Sequence, residues 1–277
     1  GNIYCWGTGS SGRIGNGANS NVNVPTAVTM PSGVESFTLV STNTNFSCAI
    51  ANTGKIYCWG TGTNGQIGNG ANSNVNVPTA VTMPVGVERF NVVSTNGSFS
   101  CALANNNKIY CWGTGSSGRI GNGANSSVNV PTAVTMPVGV ESFTNVSTNT
   151  NFSCAIGNGK PYCWGTAGGH LGRGNEYFNT STNIIVPSGV NSFNMVSTSG
   201  TNSCALASNG KPYCWGDGTN GQTGNGTNAS TNLPTGVTMP AGVTSFSVVV
   251  TTSSFSCAIA KNAQIYCWGT GTSGQIG

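Results

Sequence analysis

The residues that could do chemistry in this chain of 277 are few, and most of them recur at fixed intervals. His170 and Asp217 are its only His and only Asp, so a Ser–His–Asp triad would have to use both. They sit in adjacent repeats at non-equivalent positions, and catalysis is not expected. Calcium would need clustered carboxylates. Glu35, Glu88 and Glu141 hold equivalent repeat positions and should lie one repeat apart. No C-x-x-C pair exists to hold zinc. No metal and no cofactor is expected.

The eleven cysteines are therefore the main chemical resource. Tyr-Cys-Trp-Gly places six of them, at Cys5, Cys58, Cys111, Cys163, Cys214 and Cys267. Ser-Cys-Ala places the other five, at Cys48, Cys101, Cys154, Cys204 and Cys257. Each Ser-Cys-Ala cysteine precedes a Tyr-Cys-Trp-Gly cysteine by 9 or 10 residues. Two further sets recur. Gly9-x-x-Gly12-x-x-Gly15-x-Gly17 has the look of a phosphate cradle, but no strand-to-helix context surrounds it, so it reads as a tight turn needing positive φ. Trp6, Trp59, Trp112, Trp164, Trp215 and Trp268 could stack sugars or bases, but repetition at a strand end favours packing between repeats.

The elements that carry these residues are β-strands. Phe37–Ser41, Phe46–Ile50 and Lys55–Trp59 are rich in strand formers, bounded by Asn, Thr and Gly. Pro25–Met30, bracketed by prolines, reads as an edge strand. Four short strands per unit of 51–53 residues match one blade of a β-propeller, an all-β fold of radially repeated four-stranded sheets. The whole chain, 1–277, reads as one array. Its repeats are 4–56, 57–109, 110–161, 162–212 and 213–265, with a partial copy at 266–277. About five blades are expected, as an open array or as part of a six- or seven-bladed ring.

Pairing Cys48 with Cys58 leaves Asn52-Thr53-Gly54 as a three-residue hairpin loop, with Gly54 at its left-handed position. Pairing Cys154 with Cys163 leaves Asn158-Gly159, a favoured two-residue turn. The loop length changes while the cysteines stay opposed. If the pair beside the loop is hydrogen-bonded, every cysteine pair falls on a non-hydrogen-bonded site, where Cα atoms lie about 4.5 Å apart and a disulfide can close. Pro161 and Pro212 fall on the same kind of site. Five disulfides in an oxidising compartment are one reading, and buried thiols acting as small hydrophobes the other. Cys5 is left over. Its partner would lie about ten residues upstream, which suggests a chain cut from a longer one.

Composition excludes further classes. Charged residues are 5% of the chain and the net charge is +4, too sparse for the basic stripe of a nucleic-acid binder. No run of eighteen apolar residues is present to span a membrane as a helix. Sequons such as Asn45, Asn96, Asn151 and Asn228 are expected by chance in a chain this rich in Asn, Ser and Thr.

Taken together, Ser-Cys-Ala-(Ile/Leu)-Ala, the Asn/Gly turn, Lys-(Ile/Pro)-Tyr-Cys-Trp-Gly, the Gly-x-x-Gly-(Gln/Arg)-Ile-Gly-x-Gly run and a later Pro-x-x-Val resemble the regulator-of-chromosome-condensation repeat. The resemblance covers the whole chain and implies a β-propeller, usually seven-bladed. The family's nuclear founder is a guanine-nucleotide exchange factor that works through a loop insertion. These repeats carry no insertion, so that activity ranks last. A propeller-type inhibitor of a secreted enzyme is a second implied function. Bacterial relatives with paired Cys-Trp-Gly repeats look like secreted or surface proteins, and this chain is most similar to those.

Repeat four diverges most. It carries Gly168-Gly169-His170-Leu171-Gly172-Arg173-Gly174-Asn175-Glu176-Tyr177-Phe178 where other repeats read Gly-Ala-Asn-Ser-Asn-Val-Asn-Val-Pro. His170, Arg173, Glu176, Tyr177 and Phe178 are the candidate binding residues, since Tyr and Arg favour hot spots. Drift in a tolerant loop is the competing explanation. The expectation is a non-enzymatic, extracellular or cell-surface scaffold for adhesion or binding. Its ligand would be a protein or a glycan, and self-assembly into a structural subunit is the alternative.

Overall fold

The computed structural model describes residues 1–166, 171–173 and 178–277, which fall into two compact units, Gly1–Thr135 and Met136–Gly277. In the first unit, β1 (Tyr4–Gly7) and β2 (Val22–Ala27) form a two-stranded ribbon. One four-stranded sheet follows from β3 (Phe37–Thr42), β4 (Phe46–Ala51), β5 (Ile56–Gly60) and β6 (Val75–Ala80). Another is built from β7 (Phe90–Asn96), β8 (Phe99–Ala104), β9 (Ile109–Gly113) and β10 (Val128–Ala133).

The second unit repeats the plan. One sheet contains β11 (Phe143–Thr148), β12 (Phe152–Gly157), β13 (Lys160–Gly165) and β14 (Phe178–Asn183). The next contains β15 (Phe193–Thr198), β16 (Asn202–Ala207), β17 (Pro212–Gly216) and β18 (Thr231–Gly236). A three-stranded sheet of β19 (Phe246–Thr251), β20 (Phe255–Ala260) and β21 (Ile265–Gly269) ends the unit. Every pairing is antiparallel between strands consecutive in sequence, which is the up-and-down order of a propeller blade.

The middle strands carry the apolar residues. All six residues of β4 are buried. Phe46, Ile50 and Ile56 pack with Phe90, Ala102, Tyr110 and Trp112 of the neighbouring sheet, so the core lies between blades. In the second unit Phe152, Ile156 and Leu171 meet Phe193, Ala205 and Trp215 in the same way. Within a blade, Phe37 and Tyr57 meet edge-to-face at 6.2 Å, across a strand whose facing residues are Ala51 and Ala49. Small residues there leave room for the rings, and the pairing recurs as Phe90–Tyr110, Phe143–Tyr162, Phe193–Tyr213 and Phe246–Tyr266.

The first strand of each blade carries a bulge, between Phe37 and Leu39 in β3. A bulge leaves a ladder group unpaired. Here the Thr38 hydroxyl donates to the Ile50 carbonyl at 3.2 Å, and Thr144 and Ser247 do the same for Ile156 and Ile259. The edge strand runs from Val22 to Ala27 and so begins three residues earlier than the Pro25–Met30 expected from sequence. Pro25 is accommodated in its middle because the strand has a neighbour on one side only. Val28 closes the pairing, its N–H donating to the Ile3 carbonyl at 3.0 Å.

Candidate binding surfaces

The hairpins bring the cysteines into register. Cys48 faces Cys58 and Cys154 faces Cys163, although the second loop is one residue shorter. Five disulfides result: Cys48–Cys58, Cys101–Cys111, Cys154–Cys163, Cys204–Cys214 and Cys257–Cys267, each with Cα atoms 4.1 Å apart. The loops carry the backbone this register needs. Gly54 takes φ +79°, and Asn158 and Gly159 take +47° and +72°. Cys5 is a free thiol, and partial burial pushes its pKa up. Beside it lies a cavity of about 490 Å³, lined by Tyr4, Trp6, Arg13 and Thr42 among others.

Trp59, Trp112, Trp164 and Trp215 are fully buried. Trp268 is partly buried, and Trp6 is 62% exposed. Trp59 shows what the buried position does. Its indole N–H donates to the Arg13 carbonyl at 3.1 Å, and a Cβ on Gly15 would stand 2.7 Å from the ring. The glycine run is thus a turn that lets an indole lie flat on its backbone. Trp6 is exposed because no such turn covers it among the described residues.

Of the divergent repeat-four residues, His170, Glu176 and Tyr177 lie outside the described residues. Arg173 is exposed, and its guanidinium donates to the Asn183 carbonyl (3.1 Å) and side-chain oxygen (2.9 Å). Phe178 opens β14 and packs against the core around Trp215. The two are therefore engaged within their own unit, one polar and one apolar. Asp217 accepts from the Thr219 hydroxyl at 2.8 Å and Ser230 at 3.3 Å, which ties its loop together. Among the described residues no group of three or more His, Cys, Asp or Glu is placed to hold a metal. Among the described residues no helix is long and apolar enough to cross a membrane.

The first unit holds two grooves that sequence reading missed. One, of about 440 Å³, lies between Ser10, Ser11 and Asn19 of the β1–β2 connection and Asn74, Val75 and Asn76 at the start of β6. The other, of about 390 Å³, lies between Thr63, Asn64 and Asn72 of the β5–β6 connection and Ser127, Val128 and Asn129 at the start of β10. Adding 53 to each residue number of the first yields six of the residues that line the second, which Val130 and Thr132 extend, so the repeat builds the same groove twice. The signal was present in sequence as Gly-Ala-Asn-Ser-Asn-Val-Asn-Val-Pro, but nothing local shows that its ends face successive blades.

The model for the regulator of chromosome condensation (RCC1) repeat matches residues 1–50, 53–103, 106–156 and 209–259. The ultraviolet-B receptor UVR8 of Arabidopsis thaliana is 26% identical over 279 residues, covering 99% of this chain and 62% of the receptor. The chain thus spans about three fifths of that relative. Human WBSCR16 superposes with a TM-score of 0.79 at 21% identity, over 93% of this chain and 67% of that one. Yeast RCC1 (Prp20), solved bound to Kap60, also gives 0.79, at 19% identity over 98% of this chain and 66% of that one.

Proposed function

This chain belongs to the regulator of chromosome condensation (RCC1) repeat family, and from that premise we propose that it is a non-enzymatic binding scaffold that works outside the cell or on its surface. The observation that carries the reading is the set of five registered disulfides. Such bonds persist in oxidising compartments and are rare in the cytosol and nucleus, where thiols are kept reduced. Sparse charge supports it too, because a neutral Asn/Ser/Thr surface suits polar contact with a protein or a glycan better than contact with nucleic acid. Inter-blade packing, which seats the loops on buried strands, supports a scaffold role.

The test is to trap thiols in intact source cells with acid and a maleimide, then label surface proteins with a membrane-impermeant biotin reagent. Ten oxidised cysteines in a biotinylated protein are expected. Reduced cysteines in an unlabelled protein would overturn the reading and favour an intracellular partner.

A further inference from the structure

We infer that the two repeat-related grooves of the first unit are binding sites for a neutral oligosaccharide. The inference rests on the scaffold reading above and names a ligand class for it.

The grooves are matched in construction. In each, one Asn at the start of an outer strand clamps the turn of the preceding sheet. The Asn76 side chain donates to the Gly17 carbonyl at 2.7 Å, while the Gly17 N–H donates to the Asn76 carbonyl at 2.8 Å. Asn129 and Gly70 repeat both bonds at 2.8 Å. The back wall of each groove is therefore rigid. The opposite wall keeps its polar groups available. Asn19 and Asn72 are exposed, and their side chains make no hydrogen bond to the described residues. The clamped backbone of each groove is preformed, so what binding must order is confined to the exposed amide side chain on the facing wall.

The chemistry of the lining selects the ligand. No charged side chain lines either groove, so an ionic ligand would find no counter-charge in the lining. An Asn amide offers an acceptor oxygen and two donor hydrogens side by side, and Ser or Thr hydroxyls do both jobs. A pair of sugar hydroxyls also donates and accepts. Val75 and Val128 supply an apolar face for the C–H side of a sugar ring. Volumes of about 440 and 390 Å³ fall in the small-molecule range of roughly 300–1,000 Å³. Without an aromatic platform each site should be weak alone. Repetition along one chain converts weak sites into useful avidity for a polymer.

The test is calorimetric titration of the full chain with four probes, maltohexaose, cellohexaose, chitohexaose and mannohexaose, and binding of the matching polysaccharide to immobilised protein. Saturable binding of at least one hexasaccharide is expected. Asn19→Trp should abolish one site and Asn72→Trp the other. The double variant should lose about a hundredfold in apparent affinity for the polymer. Melting curves check that each variant folds. If the Trp variants unfold, Asn19→Ala with Asn72→Ala decides, by the same loss. No binding to any probe, or undiminished binding by the folded double variant, overturns the inference. A surface-labelled, oxidised protein that binds no sugar sinks the groove assignment alone; reduced thiols in cells sink the scaffold reading instead.

Discussion

The indole N–H of Trp112 donates to the main-chain carbonyl of Gln66 at 2.8 Å, joining β9 to the turn that leads out of β5. The bond works with a close approach. Gly68 lies under the same ring, where a Cβ would stand 2.7 Å from it. One residue thus meets the preceding blade by an apolar face and a polar edge, and burial leaves no unpaired indole donor. Trp268 and Gln222 repeat the bond at 2.9 Å in the second unit.

Gly68→Ala should therefore be among the costlier single-methyl changes in the chain. Its φ of +77° penalises any side chain by about 1–2 kcal/mol, and the clash with Trp112 adds overpacking of similar size. A loss of about 2–4 kcal/mol is expected in urea unfolding followed by tryptophan fluorescence. Gly86→Ala shares the positive φ but meets no neighbour, and should cost only the strain.

Intact mass should rise by ten hydrogens on reduction, two for each disulfide. Before reduction one cysteine should alkylate, Cys5. Because burial raises its pKa, its thiolate is scarcer at neutral pH than that of an unfolded cysteine. Native alkylation should be slower than in urea, and the gap should narrow as the pH becomes alkaline. Equal rates at pH 7 would contradict the burial of this thiol.

Ala263 occupies the left-handed loop position that Gly54 and Gly210 fill elsewhere, at φ +65°. Ala263→Gly should relieve about 1–2 kcal/mol of strain against about 0.4–1 kcal/mol of added unfolded-state freedom. A net gain of about 0.5–1 kcal/mol should appear as a raised melting temperature. Gly210→Ala should move it the other way, since a Cβ there would meet Ser245 at 2.3 Å.

Arg173 and Phe178 should separate on substitution. Phe178→Ala removes a side chain packed on the Trp215 core and should lower the melting temperature. Arg173→Ala removes two exposed hydrogen bonds to Asn183 and should leave it nearly unchanged. Weaker surface capture by Arg173→Ala, at constant melting temperature, would place this segment in the binding face of the proposed scaffold.

Much of this molecule is legible without coordinates, because its information is local. Strand type, the opposed cysteines and the left-handed Gly54 all follow from residues within about a dozen positions of one another, whereas nothing local marks Ala263 for the same backbone. Cys154 and Cys163 remain opposed across a shortened loop because an antiparallel ladder counts inward from its turn. What tertiary structure decided lies between blades. That Trp59 rests on Gly15, that Asn76 clamps Gly17, and that Asn19 faces Asn74 across a groove depend on residues more than forty positions apart. A periodic sequence says that such pairs exist but not which faces meet. That choice is made by the packing of one sheet on the next, which brings each of these indoles onto the turn of the preceding sheet.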